Sequence, residues 1–178
     1  MRLLRAIRLD PSDTFIFSAA AEPGEWAISG AFVFSEIDPA ALKGPELAAF
    51  RSGFLGIPSL GWSTLVQVVE ASAADRAAAI HALARCLLDR FGAPDFAAAQ
   101  LAAAEEIDFA ASLADHPPDT LIAVRRSDED GTIREVFRTL RPREDKKGWR
   151  AFSFLDADAE EEPGEAVDLA ALVRRTSQ

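Results

Sequence analysis

The sequence predicts an α+β fold, with a mainly antiparallel sheet of about six strands covered by an antiparallel helix pair. Three observations predict it. Runs rich in β-branched and aromatic residues, punctuated by Gly, Pro and Asp, fill both ends of the chain. Two alanine-rich stretches in the middle carry apolar residues at helical spacing and are separated by a short loop. Asp130-Gly131, between two alternating runs, is the preferred pair for a two-residue hairpin turn.

The elements follow in order. "RLLRAIRL" (2–9) and "TFIFS" (14–18) read as two short strands. Pro23-Gly24 is a turn signal. After it, Trp26, Ile28, Gly30, Phe32 and Phe34 alternate with Ala27, Ser29, Ala31 and Val33, which predicts a central strand with Gly30 at a bulge or close backbone approach. Asp38-Pro39 supplies an N-cap and a first helical residue. Gly44-Pro45 interrupts that helix, and "PELAAFRS" adds a further turn or two. A glycine loop, Gly53–Gly61, leads into a strand over Ser63–Glu70.

Ser72-x-x-Asp75 resembles a capping box and opens the first long helix, with Ala77, Ile80, Ala84, Leu87, Leu88 and Phe91 as its apolar stripe. Gly92 ends it and Pro94 starts the second, over about 94–115, with Phe96, Ala99, Ala103, Ile107, Ala110 and Leu113 on one side. The hairpin at Asp130-Gly131 predicts Val124 opposite Phe137, Ile122 opposite Thr139 and Arg126 opposite Glu135, a favourable charge pair. A last short strand is expected around Trp149–Phe154. Residues 1–155 thus read as one α+β domain. Residues 156–178 read as an acidic, mobile tail, since seven carboxylates and no basic residue lie between Asp156 and Asp168.

The bulk numbers bound the function. Of 178 residues 49% are hydrophobic, enough for one core without metal or disulfide. A single cysteine, Cys86, fits a reducing compartment. Net charge of −10 argues against nucleic acid and anionic membranes as partners. Arg2, Arg5 and Arg8 interrupt the first residues, so neither a signal peptide nor a membrane span is expected.

"GIPSLGWS" (56–63) is one letter from the phosphate-binding loop G-x-x-x-x-G-K-[ST]. Trp62 stands where the lysine belongs, and Pro58 removes a backbone donor. The order is also inverted, with a helix before the loop and a strand after it. The glycines therefore read as backbone geometry. His81 and His116 lack a partner at metal-ligand spacing. His81 reads as a partly buried structural residue at the border of its stripe. Glu105, Asp108, Ser112 and Asp115 read as a solvated helix face, and Cys86 as a small buried hydrophobe. Neither a catalytic residue nor a metal or cofactor is expected.

Two features remain. Arg125, Arg134 and Arg138 share one face of the hairpin, continued by Arg141 and Arg143, as a contact for an anion, a partner or the acidic tail. The loop residues Phe54, Leu55, Ile57, Leu60 and Trp62 form either a core plug or an apolar contact for a ligand or partner. The run "GFLGIPSLGWSTLVQVVEA" with "EVFRTLRP" resembles an uncharacterised alphaproteobacterial family, a domain of unknown function. That resemblance implies a bacterial cytoplasmic protein and transfers no activity. The first functional expectation is a non-enzymatic accessory or interaction domain, with a protein partner or a second copy. The alternative is a small-ligand or enzymatic domain with a pocket between sheet and helices near Trp62 and His81.

Overall fold

In the computed structural model, residues 1–140 and the backbone of residues 141–142 and 152–156 are described. The fold is α+β. Eight strands form one sheet: β1 (Arg2–Ile7), β2 (Trp26–Ile28), β3 (Phe54–Gly56), β4 (Trp62–Ser63), β5 (Leu65–Glu70), β6 (Leu121–Glu129), β7 (Thr132–Pro142) and β8 (Phe152–Asp156). Their order is β4-β3-β2-β1-β5-β6-β7-β8, and every neighbouring pair is antiparallel. Four α-helices accompany them: α1 (Ser12–Ile16), α2 (Gly44–Ser52), α3 (Ala73–Arg90) and α4 (Phe96–Leu113).

The helix pair forms as its sequence dictates. Ser72 and Asp75 close a reciprocal capping box at the start of α3. α4 starts at Phe96 and not at Pro94, with Asp95 as its cap, accepting from the Ala98 amide at 2.8 Å. Ala99, Ala103, Ile107 and Ala110 are buried on α4. On α3 the buried set is Ala79, Ile80, Leu83, Ala84 and Leu87, while Ala77 is exposed, so the stripe is rotated from the expected one. The two helices cover one face of the sheet, where Leu4, Ala6, Val66, Val68, Ile122 and Val124 are buried.

Three expectations are corrected. The run 14–18 is not a strand: Ser12–Ile16 is helical. Asp10-Pro11-Ser12 overrides the β-branched composition, because Asp10 accepts from the Ser12 amide at 2.8 Å and Pro11 fixes the entering backbone. Asp13 then becomes a buried carboxylate that accepts from the amide and hydroxyl of Thr64. The expected strand 26–34 stops at Ile28. Gly30 turns left-handed at φ 76°, and Ala31–Phe34 form a 3-10 turn. The sheet has eight strands because the glycine loop is itself a hairpin, β3–β4.

Candidate functional site

The hairpin β6–β7 has the predicted register, with Val124 opposite Phe137, Ile122 opposite Thr139 and Arg126 opposite Glu135. Asp130 and Gly131 both have positive φ (54° and 82°), the backbone of a type I′ turn. Strand alternation then separates two arginines that are adjacent in sequence.

Arg126 shares a row with Ile122 and Val124, the row that faces the helices; opposite Val124, the Phe137 ring meets Phe109 of α4 edge-on at 5.9 Å. Its side chain is 0% exposed. Nε donates to Glu135 Oε1 at 2.7 Å. One terminal nitrogen donates to the carbonyls of Phe50 (3.1 Å) and Gly53 (2.7 Å), at the C-terminal end of α2. The other donates to the Ser29 carbonyl and to its hydroxyl oxygen at 3.1 Å. The guanidinium fork thus satisfies carbonyls that a helix end leaves without partners, and ties α2, β7 and the exit of β2 together. Burial lowers the Arg126 pKa, while Glu135 and Glu106 oppose that shift. Glu106 of α4 completes the cluster. Burial raises its pKa, helped by repulsion from Glu135 and Glu105 and opposed by Arg126.

Arg125, Arg134 and Arg138 lie on the other face, opposite Val136, Ser127 and Ala123 respectively. Arg125 and Arg134 are exposed, and Arg138 is half-buried. Arg134 pairs loosely with Glu129 at 3.1 Å, both side chains being more than half exposed. Arg5 belongs to the same face and sits 4.3 Å over the Trp26 ring. Arg141 stands opposite Ser153 in the register, and Arg143 lies outside the described residues.

The apolar loop is interior. Phe54, Leu55 and Ile57 are at most 1% exposed, Trp62 is 9% exposed, and Leu60 is half-buried. Trp62 stacks on Phe34 with centroids 5.3 Å apart, and Phe34 meets Phe50 edge-on. A Cβ at Gly61 would lie 2.5 Å from the Ala20 backbone, and one at Gly56 the same distance from the Glu25 carboxylate. The loop amides are also used internally. Gly56 N–H donates to Gly61 O at 2.8 Å, and Ser59 N–H donates to Glu25 Oε2 at 3.0 Å. The near-match to a phosphate loop therefore folds as a tight hairpin whose glycines permit close backbone approach.

His81 is exposed, not partly buried, and meets Phe96 edge-on at 5.4 Å. The His116 carbonyl accepts from Arg2. Glu105, Asp108, Ser112 and Asp115 are exposed, with Asp108 paired to Arg76 and Asp115 to Arg2. Burial and Asp89 raise the Cys86 pKa against the pull of Arg90, so its thiol is not activated. Among the described residues no group of three or more His, Cys, Asp or Glu could hold a metal. Nor is any described helix long and apolar enough to cross a membrane. Two clefts are notable, and neither is lined by Trp62 or His81. One, of about 520 Å³, lies between the 3-10 turn at Phe32–Val33 and the α3–α4 connection. The other, of about 690 Å³, separates α2 from Val124–Asp128 of β6.

The sequence signal for the Arg126 hub was present. Arg126 alternates with Ile122 and Val124, so its row was the buried one. Its contacts with Ser29 and the end of α2 join residues 73 to 97 positions away, and no local pattern encodes them. No curated protein and no solved structure matches the chain. A family model does match, over residues 1–154, and the chain belongs to that family, a family of unknown function (DUF6505).

Proposed function

We propose that the chain is a non-enzymatic interaction domain of a bacterial cytoplasm, and that it recognises an acidic segment of a protein partner through the face of Arg125, Arg134 and Arg138. One observation carries this reading: strand register gathers these three arginines on a single sheet face of a protein with net charge −10. Arg125 and Arg134 are exposed on that face, and the buried ion pair of the hairpin is made by Arg126 on the opposite face. The apolar loop, the other sequence candidate, is spent on the interior. The net charge of −10 repels anions at long range, while the local positive patch attracts an acidic segment brought close to it, which favours specificity over bulk affinity.

The test is binding of a fluorescein-labelled octaglutamate peptide, followed by anisotropy at low and at physiological salt. Charge reversal by Arg125→Glu with Arg134→Glu should weaken binding by at least about tenfold, and salt should weaken it in the native chain. Equal binding by the native and reversed proteins sinks the reading.

A further inference from the structure

Two left-handed turns shape the cleft beside the α3–α4 connection. Gly30 ends β2 and sends Phe32 and Val33 into the 3-10 turn. Gly92, at φ 72°, ends α3, and the Ala93 N–H folds back to Leu87 O at 3.2 Å. The two turns meet across the cleft, where Phe32 touches Phe91 edge-on with ring centroids 5.2 Å apart. Val33, Leu87 and Ala98 belong to the same wall.

The described residues leave this wall open. Phe91 ends the apolar stripe of α3 yet stays 40% exposed, and Phe32 and Val33 are half-buried. The cleft holds about 520 Å³, the size of a small-molecule site. Large apolar side chains on a concave surface gain by being covered. Charge says by what. Among the described residues of the wall, Glu36 is the only ionisable one, and Ser35 supplies a hydroxyl. Glu36 is exposed and makes no hydrogen bond or ion pair among the described residues. The helix ends do not decide the local sign. α3 ends and α4 begins beside the cleft, so their dipoles meet with opposite polarity and largely offset. Arg90 and Asp95 stand at those ends with opposite charge, and neither is on the wall. The Glu36 carboxylate is left to set the sign, and it favours a cation. Aromatic ring faces favour one too, through their quadrupole. The net charge of −10 draws a cation from a distance.

We propose that this cleft binds a small organic cation with an apolar body, an arylalkyl amine, whose ring covers Phe32, Phe91 and Leu87 while its ammonium meets Glu36. A carboxylate in place of the ammonium would face Glu36 with like charge. A neutral analogue would leave Glu36 unpaired. The site lies apart from the arginine face and stands or falls without it.

Three probes of one size separate these contributions: phenylpropylamine, phenylpropanol and phenylpropanoate. Each is titrated into the full chain and followed by amide chemical shifts. The shifts caused by the amine should gather at Phe32, Val33, Phe91 and Ala98. The amine should bind about threefold to fivefold tighter than the alcohol, the increment of an exposed ion pair, and the carboxylate should bind weakest. Glu36→Gln should bring the amine to the affinity of the alcohol and leave the alcohol unmoved. Phe91→Ala should weaken amine and alcohol both. Equal affinity of the amine and the carboxylate overturns the proposal, as does an amine preference that survives in Glu36→Gln. Unchanged binding in Phe91→Ala, or the absence of saturable shifts, overturns it too. So do shifts confined to Glu105 and Asp108 of α4, since any surface carboxylate would then serve.

Discussion

Arg125 and Arg126 are one residue apart on β6 and do opposite work. Arg126 is fully buried, with its guanidinium divided among Glu135, Ser29 and the end of α2. Arg125 is exposed on the wall of the α2–β6 cleft. Residue identity does not distinguish them. Parity does, because side chains of a strand alternate between faces, and only one face meets the helices. The contrast teaches that charge in this protein is allotted by the sheet: one arginine is sealed in to hold the architecture, and the other is left exposed.

The largest way to break the contrast is to remove the buried member. Arg126→Ala leaves Glu135 without its cation and the α2 carbonyls without donors, and should cost about 3–5 kcal/mol in chemical denaturation. A double variant, Arg126→Met with Glu135→Leu, should recover much of that loss, because removing both charges removes the uncompensated one. A loss under 1 kcal/mol for Arg126→Ala would show that the hub is ornamental.

Trp62→Ala asks the same question of the loop. Its ring stacks on Phe34, and Cβ atoms at Gly30 or Gly53 would crowd it. Truncation should cost about 3–5 kcal/mol and leave octaglutamate binding by the folded fraction intact. Unchanged stability with lost self-association would return the loop to the surface.

A smaller effect is expected at Glu106, where pH supplies the sharpening. Its folded pKa is raised, so the folded state holds a proton that the unfolded state releases. Its contribution to stability is present below the ordinary glutamate pKa and is lost as pH rises through the folded value. Glu106→Gln should therefore raise the melting temperature at neutral pH, and the gain should shrink on acidification. A gain that is constant with pH, or a loss at neutral pH, contradicts the burial and repulsion assigned to Glu106.

The smallest stability effect belongs to Arg125. Arg125→Ala should shift unfolding by no more than about 0.5 kcal/mol while weakening octaglutamate binding, the reverse of the Arg126 profile. Stability loss of several kcal/mol would make the two arginines equivalent and end the comparison.

The sequence by itself determined whatever is encoded within a few residues. Asp130-Gly131 specified its turn, and the turn specified the register down to Arg126 opposite Glu135. Ser72 and Asp75 specified a helix start. Alanine periodicity specified the buried side of α4. Local chemistry also misled: the β-branched run 14–18 became a helix once Asp10 and Pro11 set its entry, and Gly30 ended a strand whose alternation ran on past it. Tertiary structure alone decided the rest. It folded the glycine loop into two strands, because Ala20, Ala21 and Glu25 lie close enough to require glycine at 56 and 61. It turned a cross-strand ion pair into a buried hub, because Ser29 and the end of α2 arrive from more than 70 residues away. It stopped β5 short of the end of β6, leaving an edge and a cleft that no periodicity announces. The physical reason is common to all three: turns, caps and alternation depend on torsions and neighbours in the chain, whereas burial, close approach and unpaired edges depend on which distant backbone occupies the adjoining space.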